Sequence, residues 1–224
     1  MTVEDKNTWE QLWLSFDKGE TPASLSIVPD FLQVLTINDQ VLDVGCGSGR
    51  FTRKLSTLVK SVIGMDINMK EIIYRASDDK DHTSIHYCVS DGTALPFQSH
   101  FFTTTILLGV LGGVHPTFRS QLLKESFRCL QTGGKIYISE FLQIENQEWK
   151  NIYDREFNKT SEWGSITAKA INGKKFHTHH FSKKELDKLL VHSGFTNIDF
   201  KTYRVVSQTA EGKEYDAIGF WATK

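Results

Sequence analysis

Three glycines alternate with other residues in Asp43-Val44-Gly45-Cys46-Gly47-Ser48-Gly49-Arg50, directly after the apolar pair Val41-Leu42. Alternate glycines open backbone conformations closed to other residues and let a ligand lie against the main chain. Phe51, Leu55, Leu58 and Val59 then recur at helical spacing. The turn therefore opens a helix whose free N–H groups and positive dipole end face the same ligand. Gly45, Gly47 and Gly49 become candidate cofactor contacts, with Asp43 beside them. A second carboxylate, Asp66, ends the stretch Ser61–Asp66, 17 residues after Gly49. One helix plus a turn fills that distance, so Asp66 can reach a ribose bound over the first helical turn. A dinucleotide fingerprint would need glycine where Arg50 stands, which argues against a nicotinamide-dependent oxidoreductase.

Other residue types invite chemistry and have plainer readings beside it. His177-Thr178-His179-His180 has the look of a metal site, but no cysteine accompanies it and no carboxylate pair has ligand-like spacing, so no metal is expected. Placed over an active site, His177, His179 or His180 would serve as a general base, because an imidazole titrates near neutral pH. His115 follows the fourth predicted strand, and Glu140 ends the fifth. Both therefore fall at the carboxyl edge, where α/β sheets bind ligands. Their plainer readings are a neighbour of Pro116 at a helix start and an acceptor for a loop amide. The candidate catalytic set is His115, Glu140, His177 and His180. Cys46, Cys88 and Cys129 are odd in number and widely spaced, and read as buried, inert thiols.

The elements that must position these groups follow from periodicity. Trp9, Leu12, Trp13 and Phe16 stand at i, i+3, i+4 and i+7, a helix with an aromatic face, and a short helix is predicted over Val28–Leu35. Asn68 and Glu71 fit a capping box for a helix carrying Ile72, Ile73 and Ala76 inward. Strands are expected at Ser84–Val89 and Phe102–Gly109, with Leu122, Leu123, Phe127 and Leu130 as the apolar face of the helix between the fourth and fifth strands. Ser182–Glu185 is a second capping box, stapled by Phe181 and Leu186, and Gly194 ends its helix. Ile198–Val206 and Tyr215–Trp221 read as two closing strands around a polar Gln208–Lys213 turn. Residues 141–180 fit no sheet element and are expected to form a helical cap. Strands alternating with helices predict a parallel sheet covered on both faces.

At 224 residues with net charge −1, from 26 basic and 27 acidic side chains, the chain suits one domain of ordinary size. No basic tract or aromatic-basic stripe would track a phosphate backbone, so nucleic acid is not an expected partner. The longest apolar run, Ile106–Val114, is far short of the roughly 20 residues of a spanning helix. The first residues carry no apolar signal core, and with the cysteine usage this predicts a cytoplasmic setting and no membrane partner.

The Asp-x-Gly-x-Gly-x-Gly pattern of residues 43–49 resembles the first motif of the class I S-adenosylmethionine (SAM)-dependent methyltransferases. Asp66 matches that family's ribose carboxylate. Asp91-Gly92-Thr93-Ala94-Leu95-Pro96-Phe97 is similar to its segment after the third strand, and Leu130-Gln131-Thr132-Gly133-Gly134 to its turn at the fifth strand. The resemblance covers residues 38–141 well and 181–224 more loosely. It implies an α/β, doubly wound, mostly parallel seven-stranded sheet of order 3-2-1-4-5-7-6. The expected domain is single, 1–224, with an N-terminal helical cap over 1–36 and an inserted lid over 142–180. The resemblance places the adenine near Asp91 and Gly92 with Ile67 on one face, the ribose on Asp66, and the methionine part over Gly45–Gly49 near Asp43. Trp13 is the candidate aromatic face for the sulfonium. The implied activity is methyl transfer from SAM to a small organic acceptor at O, N or C, leaving S-adenosylhomocysteine. The alternative is a SAM-binding sensor or partner protein without turnover. No Asn/Asp-Pro-Pro-Tyr/Phe motif follows the fourth strand, which favours a small-molecule acceptor.

Overall fold

The structure, a computed structural model, describes residues 3–208 and 212–224, with the backbone alone for 3–8. Its centre is β1 (Gln40–Val44), in which Val41, Leu42 and Val44 are all buried, as a strand covered on both faces requires. Around it lie β2 (Ser61–Asp66), β3 (Ile85–Val89), β4 (Phe102–Leu108) and β5 (Leu130–Phe141). These five pair in parallel in the order β3-β2-β1-β4-β5.

Residues 142–180 hold α6 (Gln147–Thr160) and an antiparallel hairpin, β6 (Ser165–Lys169) and β7 (Lys175–His179), outside the main sheet. The lid is thus half helix and half hairpin, a correction to the all-helical cap expected from its composition. After α7 (Lys183–His192), β8 (Thr196–Val206) and β9 (Glu214–Thr223) complete the sheet, with β9 antiparallel to both β5 and β8. With the hairpin set aside, the seven sheet strands run 3-2-1-4-5-7-6, as expected.

Helices α1 (Val3–Leu14), α2 (Pro29–Leu32), α3 (Arg50–Ser56), α4 (Met69–Asp78) and α5 (Pro116–Cys129) complete the layers. On one face Leu122, Leu123, Leu186 and Leu190 pack on Leu42, Ile136 and Phe220. On the other, Phe31, Phe51 and Leu55 pack on Val41, Val62 and Ile106. Each such side chain contributes about 1.5–3 kcal/mol by leaving water.

Two details of α4 depart from the pattern. Asn68 caps the helix through Lys70 N at 3.0 Å, but Glu71 does not fold back to complete a box. Its buried carboxylate instead accepts from Gly19 N (2.8 Å), Thr21 Oγ1 (2.8 Å) and Thr21 N (3.4 Å). Ile72 is buried, whereas Ile73 and Ala76 face solvent, because α4 lies at the sheet's margin and buries only a narrow stripe. Glu71 thereby ties the N-terminal strap, residues 15–28, across the carboxyl edge of the sheet. Arg50 donates to Leu25 O (2.5 Å), and Ser26 N donates to Tyr203 Oη (2.8 Å), fixing the strap farther along.

Candidate functional site

A cavity of about 460 Å³ opens between the carboxyl edge of the sheet, the strap and the lid. That volume falls in the range of small-molecule sites.

Its floor is made by the loops that leave β1, β2 and β3. Gly45 has φ +67°, and a Cβ there would lie 2.5 Å from Val110 Cγ2. The floor thus demands glycine both for its dihedral and for the approach of the loop after β4. Asp66 Oδ2 accepts from Gly47 N and Oδ1 from Asn68 N, both at 2.8 Å. These bonds fix a half-buried carboxylate on the cavity wall. Burial pushes the Asp66 carboxyl above its ordinary value, against those two backbone bonds. Asp43, almost fully buried, accepts from Thr52 Oγ1 at 2.6 Å. Its burial pushes the carboxyl up to about 7. Asp91 Oδ1 accepts from Thr93 N at 2.8 Å, the Asx turn that aims this loop at the cavity.

Asp43, Gly45, Gly47, Asp66, Ile67, Asp91, Gly92 and Trp13 all line the cavity. Gly49 does not. It takes φ +70° before α3, where a Cβ would meet Tyr87 and Arg75, so it shapes the turn from behind.

The roof gathers Trp9 and Trp13 from α1, the strap residues Thr21–Leu25, Phe141, and Trp149 from α6. Phe176, Thr178 and His180 come from β7 and its end, and Tyr215 from β9. Trp13 Nε1 donates to Gly113 O at 3.1 Å. Trp13 and Phe16 both pack on Phe176, with centroids 5.0 and 6.1 Å apart, so α1 meets the hairpin where a second helix was expected. Of the lid aromatics Trp149, Tyr153, Phe157 and Trp163, only Trp149 lines the cavity. Phe157 and Trp163 are exposed, and Tyr153 lies behind His180.

The candidate catalytic residues separate. His115 and His180 line the cavity; Glu140 and His177 do not. Glu140 is buried and accepts from Leu111 N (2.8 Å) and Gly112 N (3.3 Å), closing the turn after β4. Burial pushes its carboxyl up to about 8. The plain reading of Glu140 therefore stands and the catalytic one is withdrawn. His177 packs on Trp9 and hydrogen-bonds Thr167 across the hairpin at 3.3 Å, and its catalytic reading is withdrawn as well. His115 caps α5, with Nδ1 2.8 Å from Thr117 Oγ1, while its ring stays on the cavity wall.

The three clustered histidines have three different surroundings. Successive residues of an extended segment face opposite ways, which parts His180 from His179, while His177 shares a face with His179 but lies two residues nearer the hairpin turn, against Thr167 and Trp9. The His179 ring lies between Glu162 and Glu185, 3.1 Å from each. Buried Arg119 forks onto Glu162 at 2.6 and 2.9 Å and bonds Leu111 O at 2.8 Å. This network bolts the lid to α5 and α7. With Arg119 and His179 beside it, the Glu162 carboxyl falls to about 2 despite its burial.

A methyltransferase domain model matches residues 42–138, the span of β1 to β5. A solved SAM-dependent methyltransferase of Methanosarcina mazei is 30% identical and superposes with a TM-score of 0.80, over 89% of this chain and 99% of that one. The chain belongs to the class I SAM-dependent methyltransferases. A curated relative, the ubiquinone/menaquinone biosynthesis C-methyltransferase UbiE of Wigglesworthia glossinidia brevipalpis, is 29% identical over 174 residues, 73% of this chain and 69% of its own. The N-methyltransferase NodS of Bradyrhizobium japonicum shares the fold at 16% identity and a TM-score of 0.61, over 98% of each chain.

SAM is accordingly the methyltransferase's cofactor, and the floor fits it. The Gly45 cradle has no room for a side chain, and the fixed Asp66 carboxylate offers acceptor capacity to hydroxyl donors. Sequence reasoning missed the strap residues Thr21–Leu25, Phe141 and Tyr215. None carries a motif, and each reaches the cavity only through the fold.

Proposed function

We propose that this methyltransferase transfers the SAM methyl group to a small organic acceptor held under the roof. The observation that carries the reading is one cavity with two unlike ends, a floor of glycine backbone and fixed carboxylates and a roof of aromatic rings. On this reading Asp66 takes the ribose hydroxyls, Asp91 and Gly92 the adenine edge, and Ile67 one adenine face. Gly45 and Gly47 admit the methionine part, with Asp43 anchoring the loop beneath it through Thr52. When bound, SAM supplies a methyl carbon on a sulfonium that departs with the C–S electron pair as neutral S-adenosylhomocysteine.

The chain's own residues then have two tasks. They align the acceptor's lone pair with that carbon, and they exclude water, effects worth up to ~7–11 kcal/mol at ideal geometry. The strap is clamped by Glu71, and Lys174 of the hairpin pairs with Asp17 (3.1 Å) and Glu20 (2.7 Å), so strap and lid close the site together. Trp13, on the wall, offers its ring face to a cation. His115 is the proposed group for receiving an acceptor proton, being the lining histidine on the sheet side of the cavity.

The test is incubation with methyl-labelled SAM and a metabolite extract of the source cell, followed by separation into organic, aqueous and protein fractions. Label moving into a small-molecule fraction, and lost in Asp66→Ala, supports the reading. Label in protein alone contradicts the acceptor class. No transfer by a preparation that binds SAM favours a sensor or partner role.

A further inference from the structure

His180 is 2% exposed, lines the cavity and sits inside an aromatic box, its ring centroid 5.3–5.7 Å from those of Phe141, Trp149 and Tyr215. Its backbone is fixed, with N donating to Gly164 O at 3.0 Å. Its Nδ1 lies 2.9 Å from the hydroxyl of Tyr153, which is fully buried and does not itself line the cavity. The Tyr153 oxygen already accepts from Ile144 N at 3.3 Å. One acceptor, His180 Nδ1, is within reach of the phenolic proton among the described residues. A buried hydroxyl left without an acceptor would cost about 1–3 kcal/mol. The network therefore assigns the Tyr153 proton to Nδ1, and the imidazole's own proton falls on Nε2.

Nε2 has no hydrogen-bond partner among the described residues, the ring's one side-chain bond being made through Nδ1. The cavity that His180 lines is where a partner for this nitrogen would lie. Titration agrees with this geometry. Burial, with His179 adding to it, lowers His180 to about 3, and burial raises Tyr153 to about 12, so both groups are neutral.

We propose that His180 is a fixed hydrogen-bond donor of the acceptor subsite, its Nε2–H turned into the cavity and its tautomer set by Tyr153, and that the methyl acceptor carries a carbonyl, carboxylate or ionised hydroxyl oxygen that receives this bond. The proposal rests on the reading above that the acceptor lies under the roof. It replaces the general-base role expected for His180, because Nε2 already bears its proton and the remaining lone pair, on Nδ1, is taken by the Tyr153 hydroxyl, so a second proton would make an unpaired buried cation. Tyr153 is a positioning residue in this arrangement. Inside apolar walls the donor's bond to an anionic oxygen is stronger than in water, which makes it a device of selection.

The test is long-range proton–nitrogen NMR on the full chain labelled at histidine nitrogen, with the His180 signals identified by their loss in His180→Gln. The expected result is the neutral Nε2–H tautomer at pH 7. It should persist through the range where an ordinary imidazole, pKa about 6.5, takes up a proton. Tyr153→Phe should mix the two tautomers while leaving SAM affinity within twofold. Benzoate added to protein saturated with S-adenosylhomocysteine should move the Nε2 proton downfield, whereas toluene should not. An Nδ1–H tautomer or an imidazolium at pH 7 overturns the assignment. A tautomer unchanged in Tyr153→Phe overturns the positioning role. No response to benzoate up to its solubility limit overturns the oxygen-acceptor half. Failure of SAM to bind, read by calorimetry on the ligand-free protein, would sink the proposed function alone and leave the tautomer standing.

Discussion

The floor of the cavity is made by three loops, residues 43–48, 66–67 and 90–93, each leaving a strand of the main sheet. The roof draws on α1, the strap, the lid and β9, segments up to 206 positions apart from Trp9 to Tyr215. The floor holds its shape by backbone: Gly47 N and Asn68 N fix Asp66, and Gly45 allows the loops to meet. The roof holds by side chains, through Arg119–Glu162–His179, Glu71 on the strap, and Lys174 between strap and hairpin. Backbone built on parallel strands tolerates change at most side chains and fails sharply at a few positions. A roof of paired side chains can be varied piece by piece, which suits a shared cofactor and differing acceptors.

The sharpest break in the floor is Gly45→Ala. A left-handed alanine at φ +67° with a Cβ 2.5 Å from Val110 should cost about 2 kcal/mol or more of stability. SAM affinity should fall by about a hundredfold, near 2.7 kcal/mol. Gly133→Ala is the control. Its φ of +76° carries the dihedral cost, but nothing lies within 4 Å of the added Cβ. Denaturant titration should give about 1 kcal/mol there, with SAM binding unchanged.

The matching break in the roof is Arg119→Met. It leaves the partly buried Glu162 without its fork and should cost about 3 kcal/mol in urea unfolding. Calorimetric SAM affinity should move less than threefold, because the floor does not use this network. Equal losses of SAM affinity in Gly45→Ala and Arg119→Met would mean that floor and roof are one unit, and would break the comparison.

Those two regions were unequally legible in sequence. Residues 43–49 stand in one stretch and Asp66 lies one strand farther on, so local spacing pointed to them, whereas Asp91 was reached through the family resemblance and Gly49 proved to shape the turn from behind. Glu71 was misread because Asn68 and Glu71 have capping-box spacing, while the partners that won its carboxylate, Gly19 and Thr21, lie about 50 positions away. Ile73 was placed inward by period alone and is exposed, since tertiary position decides how wide a helix's buried stripe must be. The histidines misled for a similar reason. Adjacent in sequence, His179 and His180 face an ion-pair network and an aromatic box respectively once β7 forms.

A smaller effect concerns pH. Glu140 has a folded-state carboxyl pushed up to about 8 from an ordinary 4.5. Between those values the folded chain holds a proton that the unfolded chain lacks, so stability declines as pH rises through the window. Glu140→Gln removes that slope. Its unfolding midpoint relative to the parent should improve steadily from pH 5 to pH 8, and a constant offset would contradict the assignment. Smallest of all is Lys174→Ala. The exposed pairs to Asp17 and Glu20 should leave the melting midpoint within error, and the variant should bind SAM as the parent does.

The central claim is that SAM lies on the floor with Asp66 as its anchor, and calorimetric titration of SAM into the parent and Asp66→Ala tests it most directly. A saturable isotherm in the parent, weakened at least tenfold (about 1.4 kcal/mol) in the variant, is the predicted result. Equal affinity in the two proteins, with the variant folded by circular dichroism, would remove Asp66 from the site and contradict the account.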